Sequence, residues 1–228
     1  MQGQNRGRIT KKELKEDEFV TRAVQVSEYI QGNYPKVLAA IGALVIVILI
    51  GVFIRDEINR GVNESVEAFG AARVTMMSGN IEEALRLAEG VVSDYAGKPA
   101  ASQATLFLGD VNFGQQEWTK ARSYYETYLD EYGSEGPVGY GAWTGVAACL
   151  EELGDVVEAG NRHLAYVDRH ATSAFAPIAL SEAARCFDAA GDAAKAEETL
   201  RRILDEYPES VVARSAKPKL ALMGTTPK

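Results

Sequence analysis

The chain has 228 residues, 46 % of them hydrophobic and 25 % charged, which excludes a wholly disordered protein and allows one or two domains. Its net charge of −8 is unevenly spread, because residues 1–36 hold seven basic and five acidic side chains, so that residues 55–228 carry −10. An acidic domain of that kind excludes nucleic acid and anionic lipid as partners, and two cysteines are too few for a disulfide scaffold.

In chain order, the first element expected is a helix in the tail, residues 1–36. "TKKELKEDEF" places Thr10 and Glu13 three apart as a capping box, and Phe19, Ala23, Val26 and Ile30 recur at helical spacing until Gly32 and Pro35 break the pattern. That stripe reads as a juxtamembrane helix lying on a membrane surface, the alternative being a face that binds a partner helix. The next element, residues 37–54, is "VLAAIGALVIVILIGVFI", 18 residues without a charge and close to the minimum for crossing a bilayer. A cleaved signal peptide is disfavoured: 36 residues precede the run, and Phe53, Ile54 and Arg55 stand where a cleavage site needs small side chains. All-round apolarity and length disfavour a soluble core helix. Residues 37–54 are therefore expected to be an uncleaved transmembrane helix, in which Ala39 and Ala43 form a small-xxx-small pair. The basic tail is expected on the cytoplasmic side and the long acidic domain on the other.

Beyond the span, Ile58, Val62, Val66, Phe69 and Met76 continue a helical face, with a break expected near Gly61. Residues 55–64 read as a connecting helix. From there to Leu222 every periodic segment has the 3.6-residue pattern and none alternates like a strand. Four segments resemble one another: "GNIEEALRLAEGVVSDY" (79–95), "QEWTKARSYYETYLDEY" (116–132), "GDVVEAGNRHLAYVDRH" (154–170) and "GDAAKAEETLRRILDEYP" (191–208). Their alanines, Ala84, Ala121, Ala159 and Ala196, stand 37, 38 and 37 residues apart, the fixed spacing of a helical-pair array over residues 65–209. Residues 210–228 close it, with a capping helix from Ser210 to Leu222 that contains Pro218.

These copies resemble the tetratricopeptide repeat family. With Pro177 as position one of the last copy, Leu180, Ala183, Ala184 and Phe187 fall on the family's first-helix core positions, Gly191 and Asp192 on its turn, and Ala196 on its second-helix alanine. Small residues such as Gly109, Ala147 and Ala184 let paired helices approach, and Gly79, Gly154 and Gly191 suit a left-handed turn. Large ones such as Leu108, Trp118, Tyr125, Trp143, Tyr166, Phe187 and Ile203 fill the space between pairs, which a single pair cannot bury. The second copy departs from the pattern, with Gln116 and Glu117 in place of Gly-Asp, and the period exceeds the family's usual one by about one turn. The expected fold is all-α: an N-terminal transmembrane helix, then a right-handed α-solenoid of about four such pairs and a cap.

A short charged tail, one span and an acidic array of long repeats also resemble the ancillary translocon subunits of bacterial inner membranes. That resemblance implies an inner-membrane protein with a periplasmic repeat domain that associates with the Sec translocon and periplasmic chaperones. It makes the chain a protein-protein interaction scaffold in secretion or envelope assembly; the alternative is a fixed structural accessory subunit or self-assembly module of a larger membrane complex.

No catalytic, cofactor or metal site is expected. No serine sits in a nucleophile elbow, no glycine-rich loop could cradle phosphate, and no acidic cluster has calcium-loop spacing. His163 and His170 lack a surrounding metal-ligand pattern, so His163 reads as a core histidine. Cys149 and Cys186 share one repeat position on successive copies, about 9–10 Å apart in stacked helices and so too far for a disulfide, and they read as buried free thiols. The resemblance instead implies a binding groove along the first helix of each copy, with Phe69, Arg73, Met76 and Met77, then Leu106, Asp110 and Phe113, then Glu151 and Arg185 as its candidate residues. The first half of that groove is greasy, so that Phe69, Met76 and Met77 either take apolar peptide segments or pack against the continuing anchor helix, and the second half is charged. The lysine and asparagine clamp for chaperone tails is absent.

Overall fold

The computed structural model describes the backbone of residues 11–223 and the side chains of residues 20–223 other than 23 and 26. The Thr10 cap and the Phe19, Ala23 and Val26 part of the tail stripe lie outside the described side chains. Among the described residues there are ten helices and no strand: α1 Lys11–Gly32, α2 Tyr34–Met77, α3 Ile81–Asp94, α4 Pro99–Gly114, α5 Trp118–Tyr132, α6 Gly136–Glu152, α7 Val156–Arg169, α8 Ala176–Ala189, α9 Ala193–Glu206 and α10 Val211–Met223. The chain divides into two units, Met1–Asn59 and Arg60–Lys228.

In the first unit α1 ends at Gly32, and the Asn33 side-chain amide donates to the Tyr29 carbonyl at 3.2 Å, occupying one acceptor of the last turn. Pro35 stands in the first turn of α2, where its missing N–H costs no intrahelical bond. Helical backbone then continues through Gly61, so the break expected there is absent. An isolated glycine costs a helix only about 1 kcal/mol, which neighbouring turns can carry. The apolar residues of the run are uncovered: Leu44, Val47, Leu49 and Phe53 are 60–71 % exposed. By length and composition this helix could cross a membrane.

The second unit is a stack of helical pairs. The end of α2 shares one apolar cluster with α3 and α4, α4 pairs with α5, α6 with α7 and α8 with α9, while α10 lies on α8 and α9. Amphipathic spacing turns the apolar residues of each helix inward, and the core runs as successive clusters along the array. Phe69, Ala72, Ala88, Val91 and Leu108 form the first. Tyr125, Val146, Leu150 and Cys186 belong to the next. Trp143, Tyr166, Leu180, Leu200, Ile203, Ala213 and Ala216 close the end. Each fully buried Leu or Ile in these clusters contributes about 2 kcal/mol, and the alanines at the repeat positions, Ala84, Ala121, Ala159 and Ala196, have no exposed surface at all.

Neighbouring copies are tied by polar bonds that recur at about one repeat length. Tyr124 donates to Glu89, Lys195 to Asn161 and Tyr207 to the Ala171 carbonyl, across separations of 35, 34 and 36 residues. The turns inside the pairs share one geometry. Gly79, Gly154 and Gly191 have φ of 85°, 89° and 81°, and Gln116 takes φ 62° at the same place in the second copy. In all four copies the residue after the turn donates back to the carbonyl five residues earlier, as Asn80 to Thr75, Glu117 to Asn112, Asp155 to Leu150 and Asp192 to Phe187.

Candidate functional site

The face formed by the first helices of the copies comes from α2, α4, α6 and α8. Close approach of those helices to their partners depends on missing side chains. A Cβ on Gly109 would lie 2.7 Å from the Tyr125 ring, and one on Gly145 would lie 2.8 Å from the same ring. Tyr125 is thus clamped between α4 and α6, and its hydroxyl donates to Asp110 at 2.7 Å. Burial and the Asp110 carboxylate both push that phenol well above its ordinary pKa.

The groove candidates divide into apolar residues of graded burial and a charged pair at the far end. Phe69 is buried, 8 % exposed, and packs edge-on against Phe107 with ring centroids 5.8 Å apart, so it belongs to the first core cluster. Leu106 and Phe113 are half-buried on the second cluster, Phe113 edge-on to Trp118 at 4.7 Å. Arg73 and Met77 are exposed, Met77 by 86 %, and Met76 is partly so. At the charged end, Arg185 donates two parallel bonds of 2.7 Å to Glu151 on the preceding copy and a third, of 2.8 Å, to Glu182 one turn before it. The pair holds Glu151 below the usual carboxylate range and Arg185 above its usual value.

Beside that ion pair the structure assembles what the spacing did not announce. Glu151 from α6, His163 from α7 and Cys186 from α8 each offer a ligand atom, and all three atoms lie within 4.8 Å of one another. His163 is 3 % exposed, as expected of a core histidine, but its Nδ1 has no hydrogen-bond partner. Burial lowers its pKa to about 4, so the ring is neutral. Cys186 has no exposed surface, and burial raises its thiol to about 12. Cys149 is likewise buried and unbridged, its thiol raised to about 11 by burial. The donors of the cluster stand 12 and 23 residues apart in sequence on three helices, a pattern with no local signature. Only the register of copy on copy brings them together.

His170 has a different setting. Its Nε2 lies 2.8 Å from the Ser134 hydroxyl, and its ring packs against Tyr166 and Trp143. Trp143 in turn donates its indole N–H to the Arg162 carbonyl at 2.8 Å, while the Arg162 guanidinium covers the indole face at 4.1 Å.

Comparison with known proteins bears on this architecture. Tetratricopeptide repeat families match residues 69–136, 113–174 and 179–210. Among solved structures, the TPR-like repeats of a Podospora anserina kinesin light chain align over 71 % of this chain and 86 % of theirs, at 18 % identity and a TM-score of 0.52. A tetratricopeptide repeat protein from Parabacteroides merdae aligns over 72 % of this chain and 60 % of its own, also at 18 % identity and a TM-score of 0.52. Identity this low shows a shared fold. A search of curated proteins found no match.

Proposed function

The chain belongs to the tetratricopeptide repeat proteins, whose arrays are protein-protein interaction scaffolds, and on that premise we propose that it is a single-pass membrane protein which presents its array to partners of secretion or envelope assembly at the outer face of a bacterial inner membrane. Residues 37–54 are its anchor in this reading, supported by the uncovered apolar surface of α2 from Leu38 to Ile54. The basic tail and the −10 carried by residues 55–228 support a cytoplasmic N-terminus and a periplasmic array. The translocon and periplasmic chaperones are the partner classes that fit this placement. The observation that carries the binding reading is the exposed apolar surface on the first copy, where Val66 is 56 % and Met77 86 % exposed on a helix whose adjacent side builds the core. Unbranched, polarizable Met side chains adapt to variable apolar segments.

The test is a photo-crosslinking residue placed at Met77 of the full chain in intact cells, with Arg201, exposed on a second helix of the array, as the comparison site. Met77 traps one or a few proteins and Arg201 does not. Equal yields from the two sites, or no adduct from Met77, would discard the first copy as the contact.

A second reading, a fixed structural subunit whose span makes the main contact, rests on the small-xxx-small spacing of Ala39 and Ala43 in the span. Sizing in mild detergent separates the two, because a fixed subunit stays stoichiometric with its complex and a transient adaptor is lost.

A further inference from the structure

We propose that Glu151, His163 and Cys186 form a site for one divalent transition-metal ion of the zinc class, with Glu151 binding through a carboxylate oxygen, His163 through a ring nitrogen and Cys186 through its sulfur as thiolate. The donor set points to that class. Thiolate and imidazole suit zinc and its cobalt surrogate, whereas magnesium and calcium take oxygen ligands. The donors lie within 4.8 Å of one another. In a tetrahedral site with bonds of about 2.0–2.3 Å the donors stand about 3.3–3.8 Å apart. Closing the site therefore needs the widest pair to contract by about 1 Å, which side-chain rotation supplies.

Two features independent of the donor spacing support a ligand here. His163 is 3 % exposed and its Nδ1 lacks a hydrogen-bond partner. A buried polar atom left in that state is destabilising, and coordination through that nitrogen would satisfy it. The charges also close. Glu151 and Glu182 are paired with a single guanidinium, that of Arg185, so the cluster with a neutral imidazole and a protonated thiol carries −1. On binding, the S–H bond of Cys186 breaks, a sulfur–metal bond forms, and the proton leaves to solvent. No electron is transferred, and the +2 of the ion with the new thiolate brings the cluster to zero. Arg185, doubly bonded to Glu151, orients the carboxylate as the outer shell of metal sites commonly does. Glu151 is the partly exposed member and marks the way in. Three protein donors leave one coordination position, which falls to water. The ion would join α6, α7 and α8, locking the third copy to the fourth.

The experiment uses the full chain, stripped of metal in mild detergent and titrated with Co²⁺ and then Zn²⁺. The expected result is one equivalent bound, one proton released, a thiolate-to-cobalt charge-transfer band that Zn²⁺ abolishes, and a rise in the melting temperature. Cys149→Ser keeps the band, Cys186→Ser loses it, and His163→Gln weakens binding at least about tenfold. Absence of a thiolate band at one equivalent, or a band that survives in Cys186→Ser, overturns the site. Should Cys186→Ser fail to fold, Cys149→Ser decides alone: the chain has two cysteines, so a band kept there belongs to Cys186 and a band lost there refutes the proposal.

Discussion

Gln116 shows how far a residue can depart from a pattern while the backbone keeps it. The other three turns place glycine at that position, and Gln116 nevertheless adopts φ 62°. Two backbone bonds hold it there, Gln116 N–H to the Phe113 carbonyl at 3.0 Å and Glu117 N–H to Asn112 at 2.9 Å, the same pair that closes the third and fourth copies. For a residue with a Cβ the left-handed conformation costs about 1–2 kcal/mol. Glycine removes that strain and gives part of it back as unfolded-state entropy. Gln116→Gly therefore raises the stability of the array by about 0.5–1 kcal/mol, read as a shift of the urea midpoint with an unchanged slope, and Gly154→Gln lowers it by a similar amount. An unchanged midpoint for both would show that the strain is not expressed. The sequence disclosed the substitution but hid the survival of the turn, because the bonds that enforce it are made by backbone groups, which a glutamine carries as a glycine does.

At the scale of elements, periodicity located the helices and the repeat paired them, but how much of each face is covered was left open. The closing helix expected from Ser210 to Leu222 is α10, Val211–Met223, and it brings Ala213 and Ala216 into the same buried cluster as Leu180 on α8 and Ile203 on α9. Pro218 is exposed on it, so the ring's cost to the helix is borne at the solvent side. Because Ala216 is 1 % exposed, Ala216→Asp puts an unpaired charge into that core and destabilises the array by about 3 kcal/mol or more. Ser215→Asp, one residue away on the exposed side, stays within about 0.5 kcal/mol. Thermal or urea unfolding followed by helicity distinguishes them, and equal effects would mean that α10 does not seal the core. Phe69 illustrates what periodicity misses. Its spacing puts it on the helix face shared with Met76, but the inner edge of that face is covered by α3 and α4, and Phe69 packs there against Phe107. A helical face defined by sequence has a direction, and only the neighbouring helices decide which part of its width is covered.

For the whole molecule, the proposed topology makes a direct prediction. A reporter active only outside the cytoplasm is active when fused after Lys228 and inactive when fused before Met1. Protease added to spheroplasts removes the array and leaves the tail, because a span of 18 apolar residues crosses the bilayer with little to spare. Survival of the array in sealed cells, with digestion after lysis as the control, would place it in the cytoplasm and end the periplasmic reading. What the sequence determined by itself is whatever depends on near neighbours in the chain: the helical period, the glycine turns, the 37- and 38-residue spacing of the alanines and the uncharged run of residues 37–54. Each is a property of a few consecutive turns, and local sterics and burial fix it. What only the tertiary structure decided is what depends on the register between copies. The clamp of Gly109 and Gly145 on Tyr125, the pairing of Arg185 with Glu151, and the meeting of Glu151, His163 and Cys186 all join residues on separate helices. Side-chain direction at such seams is set by how one pair of helices packs on the next, and no single helix carries that information.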